Sequence, residues 1–112
     1  MSTQAKFDCE FVQGEFGDNY NFNIKNDDGT DADISGFDGV QLIIKTPDEV
    51  TTRLTLTNTN LTISSPKVIW AMQTGQTDYQ GEHIAQIILT DTSPSRRRLV
   101  KVFTVFVYKK IS

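Results

Sequence analysis

Apolar side chains recur at every second position through most of this chain. Phe7, Cys9 and Phe11 alternate with Asp8, Glu10 and Val12. Tyr20, Phe22 and Ile24 alternate in the same way with Asn19, Asn21, Asn23 and Lys25. Successive side chains of an extended strand point to opposite faces, so each run predicts a strand with one buried face. Asn26-Asp27-Asp28-Gly29-Thr30 follows as a turn, with Asp-Gly providing the positive-φ step of a tight reversal. Val40, Leu42 and Ile44 form the next alternating set, stopped by Pro47, which has no N–H to give to a ladder. The Thr-rich segments 51–57 and 61–64 suit strands on either side of an Asn58-Thr59-Asn60 turn. Val68, Trp70 and Met72 predict another strand, closing at Thr74-Gly75.

The last third is apolar on both faces. Between residues 82 and 90, the His83, Ala85, Ile87 and Leu89 set and the Ile84, Gln86 and Ile88 set are both largely apolar, which predicts a central strand covered on each side. A short helical turn is allowed at 78–82, and a turn carrying Pro94 at 91–95. Residues 99–109 are expected as one strand, with Leu99, Phe103, Val105 and Val107 on one side and Val100, Val102, Phe106 and Tyr108 on the other. In an antiparallel sandwich the second face should be wet. The stripe Val100, Val102, Phe106 and Tyr108 is therefore either a contact surface or buried under a loop or neighbouring strand. No segment combines helical periodicity with caps. Seven to nine short strands with turn signals about every 8–12 residues predict an all-β fold, an immunoglobulin-like antiparallel β-sandwich, with an OB-like barrel as the alternative.

Length and composition narrow the function classes. At 112 residues and 12.6 kDa, one domain spanning 1–112 with its own core is expected. No apolar run approaches the ~18–20 residues of a membrane helix. Residues 1–6 lack the apolar h-region of a secretory signal, so neither a span nor export is expected. Cys9 is the single cysteine, which leaves no partner for an internal disulfide or a Cys-rich zinc site. The charge is uneven: residues 1–49 carry eleven acids and three bases, residues 50–112 eight bases and three acids. Whatever asymmetry survives folding favours head-to-tail contacts between copies or partners.

Candidate chemistry is sparse. His83 is the single histidine and reads as a strand side chain. Nucleophilic catalysis needs a base within about 3 Å of Ser or Cys, and nothing flanking Cys9 or His83 marks an activated thiol. The sequence has no Gly-Xaa-Ser-Xaa-Gly elbow, Gly-rich phosphate loop or His-Glu-Xaa-Xaa-His. No enzymatic activity, catalytic residue or cofactor is expected. Asp27, Asp28, Asp31 and Asp33 invite a calcium reading, but an EF-hand loop around Gly29 would place acids where Ile24 and Ser35 stand. A solvated turn or a looser cation loop remains. Arg96, Arg97 and Arg98 concentrate positive charge in guanidinium forks suited to acidic partners. A pI of about 5.0 and aromatics in alternating strand positions speak against nucleic acid. Trp70 reads as core and, alternatively, as a sugar-stacking platform. Tyr79 reads as a corner tyrosine bonding backbone across a sandwich end. Asn60-Leu61-Thr62 matches a glycosylation sequon by pattern.

In order along the chain, several short motifs resemble the small immunoglobulin-like domains of tailed-phage virions, and most of all the N-terminal domain of phage baseplate upper proteins. The matching segments are Asp28-Gly29-Thr30, Asp33-Ile34-Ser35-Gly36 before the strand at 40–45, Val68-Ile69-Trp70, Thr77-Asp78 before Gly81-Glu82, Leu89-Thr90-Asp91 and the terminal Phe103-Thr104-Val105. His83 stands where that family has Tyr, and Ser93-Pro94-Ser95 where its hairpin usually carries Asp-Gly. The resemblance runs from about Phe7 to Ile111. It implies a non-enzymatic, multi-copy structural protein of the virion, made in the bacterial cytoplasm. Its expected partners are other virion proteins of the tail, baseplate or capsid, through Arg96, Arg97, Arg98, Val100, Val102, Phe106, Tyr108, Asp27, Asp28, Asp31 and Asp33. Strand addition at a free sheet edge is one available mode. A carbohydrate or host-surface binding module displayed on the virion is the alternative.

Overall fold

The alternation along the chain becomes the burial pattern of the strands. A computed structural model describes residues 8–91, 96–100 and 102–110. Among them nine strands form: β1 (Cys9–Val12), β2 (Asn19–Asn23), β3 (Gly39–Lys45), β4 (Thr52–Leu56), β5 (Leu61–Ser64), β6 (Lys67–Ala71), β7 (Gly81–Asp91), β8 (Arg96–Leu99) and β9 (Phe103–Tyr108). Val40, Leu42 and Ile44 of β3 and Val68 and Trp70 of β6 are buried, with their neighbours less so. Residues 78–82 form no helical turn; the chain runs from irregular backbone straight into β7 at Gly81.

The strands fall into two sheets that face each other across one core. The larger has the order β1-β9-β7-β3-β4, with β8 also paired to β7; the smaller has the order β2-β6-β5. Two separate sheets form a sandwich-like arrangement rather than one sheet closed into a barrel. One pairing departs from the antiparallel expectation: β1 runs parallel to β9, with Cys9 opposite Val105 and Val12 opposite Tyr108. No hairpin joins these strands, because almost the whole chain lies between them, so turn geometry does not dictate their direction.

The core lies between the inner faces. Trp70, Val68, Leu42, Ile87, Leu89 and Ile34 are essentially removed from solvent, each such side chain contributing about 1.5–3 kcal/mol. An aromatic chain crosses the core with ring centroids 5.4 Å apart for Trp70–Phe11, 4.9 Å for Phe11–Tyr20, 4.9 Å for Tyr20–Phe22 and 5.5 Å for Phe22–Phe103. The first three pairs are edge-on, the arrangement favoured by the ring quadrupole. Trp70 is thus a core residue and not a sugar platform. Its Nε1 donates to Gln76 Oε1 at 2.8 Å, and Gln76 Nε2 donates to Asn60 Oδ1 at 3.2 Å.

The return strand after β7 differs most from expectation. Ile88 pairs with Leu99 and Ala85 with Phe103, so three steps along β7 are matched by four on the return. One extra residue is a β-bulge, and it inverts which faces the side chains occupy. β8 and β9 are therefore distinct strands in place of one strand over 99–109. Leu99 turns outward, while Val100 packs against the core with Phe103. Val100 N donates to Ile87 O, and Gln86 Nε2 donates to Val100 O, both at 2.9 Å, so the irregular backbone keeps its partners.

Candidate functional site

The residues singled out from sequence divide among three places. Arg96 lies at one end of the sandwich. Its Nε donates to the buried Asp91 at 3.2 Å, and its guanidinium carbon lies 4.4 Å from the Phe37 ring centroid. The guanidinium passes so close to Gly36 that a Cβ there would come within 2.4 Å of its nitrogen. Arg96 is thus committed to an internal ion pair and a cation–π contact worth about 0.5–2 kcal/mol. All three arginines belong to strand β8, on the flank of the β7–β8 hairpin, with Arg96, Arg97 and Arg98 opposite Asp91, Thr90 and Leu89.

Arg97 shares the outer face of the large sheet, since its register partner Thr90 lies on the Ile84–Gln86–Ile88 side of β7. Phe106 and Tyr108 of β9 share that face with Leu99, and Val102 reaches its shallow central depression beside Ile43 and Ile84. Leu99 is 55% exposed, Val102 51% and Tyr108 45%. The Tyr108 hydroxyl donates to the Glu10 carboxylate, which raises its pKa. Among the described residues no strand packs over this face; Ile84, Gln86 and Thr90 are half-buried there and Ile88 is buried.

Arg98, Val100 and Asp27, together with Val102, which borders both surfaces, line an open cleft of about 680 Å³ at the sandwich edge, between β2 and the β8–β9 return. Tyr20, Phe22, Ile87 and Phe103 form its apolar floor, and Lys25 and Asp8 add one charge of each sign. Among the described residues β2 pairs only with β6, leaving its other edge available.

The acidic loop is largely occupied with its own turns. Asp28 Oδ1 accepts from Thr30 N at 3.0 Å and Thr30 Oγ1 at 2.6 Å; Asp33 Oδ1 accepts from Ser35 N at 3.1 Å and Ser35 Oγ at 2.6 Å. Asp31 pairs with Lys25. These hydrogen bonds hold Asp28, Asp31 and Asp33 below the usual carboxylate range, Thr30, Lys25 and Ser35 being the respective leading causes. Among the described residues no group of three or more His, Cys, Asp or Glu side chains is placed to hold a metal ion.

Cys9 and His83 do not meet. Both are partners of Val105 on neighbouring strands, which separates their backbones by two strand spacings, roughly 10 Å. Burial pushes the Cys9 thiol up, an effect that contact with Tyr20 only partly opposes, so the thiolate nucleophile is disfavoured. His83 is 3% exposed, and burial, then Arg53, lowers its pKa. Among the described residues its Nδ1 has no hydrogen-bond partner. It lines a cavity of about 20 Å³ with Trp70, Gln76 and Thr77, room for a single water. Tyr79 is exposed, with Arg53 4.8 Å from its ring centroid, and among the described residues it makes no corner hydrogen bond. Gln76, which ties Trp70 to Asn60, was not singled out by sequence, because a lone Gln in a polar loop carries no pattern.

Comparison with protein-family models, curated proteins and solved structures finds no match to this chain.

Proposed function

We propose that this chain is a non-enzymatic, immunoglobulin-like structural module of a tailed-phage virion, present in multiple copies and acting through contacts with other virion proteins. The strand order supports the immunoglobulin-like assignment: β2-β6-β5 and β9-β7-β3, extended by β4, follow the two-sheet layout of that sandwich with its Greek-key connections. The observation that carries the functional reading is the outer face of the larger sheet, where Leu99, Val102 and Tyr108 are about half exposed beside Arg97. Apolar side chains held on a rigid sheet with a charged margin are suited to protein contact. Arg97 is the contact arginine in this reading, Arg96 serving the fold. The cleft holding Arg98, Val100 and Asp27 offers a second surface beside a sheet edge able to accept an added strand.

The test is recovery of the chain in purified particles. Tagged protein is produced in the bacterial cytoplasm during phage assembly, particles are separated by density gradient, and the bound chain is measured. Stoichiometric recovery in intact particles is expected. Complete recovery in the unassembled fraction would refute a virion role.

A further inference from the structure

We propose that the outer face of the six-stranded sheet is a self-association surface, on which two copies of this chain pack face to face with their β7 strands antiparallel. The inference rests on the structural-module reading and names the first partner of its contact face. Along the outer side of β7 the side chains run Glu82, Ile84, Gln86, Ile88 and Thr90, with Ile43 beside Gln86, and Leu99 beside Ile88. Ile84, Gln86 and Ile88 thus occupy the middle of β7, Lys45 and Glu49 line the same depression from the β3 side, and charges of opposite sign stand at the two ends of β7. Glu82 is opposite Phe106 at the start of β7, while Arg97 is opposite Thr90 near its end. Eight strand steps separate those registers, about 26 Å.

That spacing selects one arrangement. A two-fold axis lying between the faces, crossing the strands at the register of Gln86, carries each Glu82 over the partner copy's Arg97 and forms two equivalent ion pairs. An axis along the strands would instead oppose Glu82 to Glu82 and Arg97 to Arg97, a like-charge arrangement. Neither Glu82 nor Arg97 forms an ion pair among the described residues. Five strand positions across and eight steps along give a footprint of about 600 Å², near the roughly 800 Å² per partner of a stable interface. The pairing is therefore a concentration-dependent dimer rather than an obligate one.

Sedimentation velocity of the full chain from about 5 to 500 µM tests the proposal. The mass is expected to rise from 12.6 kDa towards twice that value. Arg97→Glu and Glu82→Arg should each weaken association at least about tenfold. Mixing these two variants should restore it, because the mixed dimer keeps one native ion pair and forms the other with the signs exchanged; combining both changes in one chain should restore it with both pairs exchanged. Val102→Glu, which puts a charge in the middle of the face, should also weaken association while retaining the far-ultraviolet circular dichroism of the parent. A wild-type chain that stays monomeric at the highest concentration, or charge variants whose mixture is no stronger than either alone, would overturn the proposal. A monomer recovered in particles would sink the dimer and leave the structural module standing. A charge-paired dimer missing from particles would do the reverse.

Discussion

Gln76→Met removes the side-chain amide that joins the core tryptophan to two loops while keeping nearly the same length and volume. Gln76 Oε1 accepts from Trp70 Nε1 and Gln73 N, both at 2.8 Å, and its Nε2 donates to Asn60 at 3.2 Å. These bonds differ in worth. Gln73 is exposed, so its N–H finds water at little cost. Trp70 is 1% exposed, and its orphaned indole N–H costs about 1–3 kcal/mol. Half-buried Asn60 adds up to about 1 kcal/mol, so the total spans about 1–4 kcal/mol and centres near 2–3 kcal/mol. For a chain this size, that corresponds to roughly 10 °C or more in melting temperature. Urea unfolding followed by far-ultraviolet circular dichroism measures the loss, and a double-mutant cycle identifies its cause. Trp70→Phe alone leaves the Gln76 carbonyl facing the core, whereas Trp70→Phe with Gln76→Met removes donor and acceptor together. The double variant should be at least about 1 kcal/mol more stable than the summed single losses predict. A loss below about 0.5 kcal/mol for Gln76→Met, or strict additivity in the cycle, would refute the argument.

His83 gives a signed pH dependence. Its folded pKa lies below its ordinary value of 6.5, so the unfolded chain binds more protons once the pH drops below that point, and stability falls on acidification. Urea midpoints should fall from pH 7.5 to 5.5 in the parent, and His83→Phe should flatten this slope; an equal slope in both would contradict the assignment. Arg96→Ala should lower stability by about 1–3 kcal/mol through the lost Asp91 and Phe37 contacts, against about 0.5 kcal/mol or less for Arg97→Ala; equal losses in urea unfolding would refute the division of roles. Cys9 is buried with a raised pKa, so alkylation of the native protein at pH 8 should be about 100-fold slower than in denaturant, and comparable rates would count against a closed core.

The sequence speaks most clearly where one face of a strand is polar. Asn19, Asn21 and Asn23 mark the open side of β2, and the inward positions of β3 and β6 follow from simple alternation. The bulge before β9 was hidden for the opposite reason. Leu99, Val100, Val102 and Phe103 are all apolar, so inserting a residue changes which of them is buried without altering the pattern of types. The parallel β1–β9 pairing was also invisible, because it joins segments almost a chain length apart and has no turn to announce it. The self-capping of Asp28 and Asp33 was more accessible, since each stands two residues before a hydroxyl residue, the spacing of a local side-chain turn. Arg96 looked identical to its two neighbours in a run of three. Only the folded arrangement, which brings Phe37 and Asp91 to the same end of the sandwich, distinguishes it.

The parallel pairing of β1 with β9 also decides how the chain bears load. Because both strands run in the same direction, the chain enters β1 towards the middle of the sheet, where Asp8 accepts from Thr104 N opposite Ile84, and leaves beyond Tyr108 at the Gly81 end. Traction applied through the two ends slides β1 against β9 along their length. The interstrand hydrogen bonds are then strained together in shear, instead of being peeled apart one after another as they would be in a terminal hairpin.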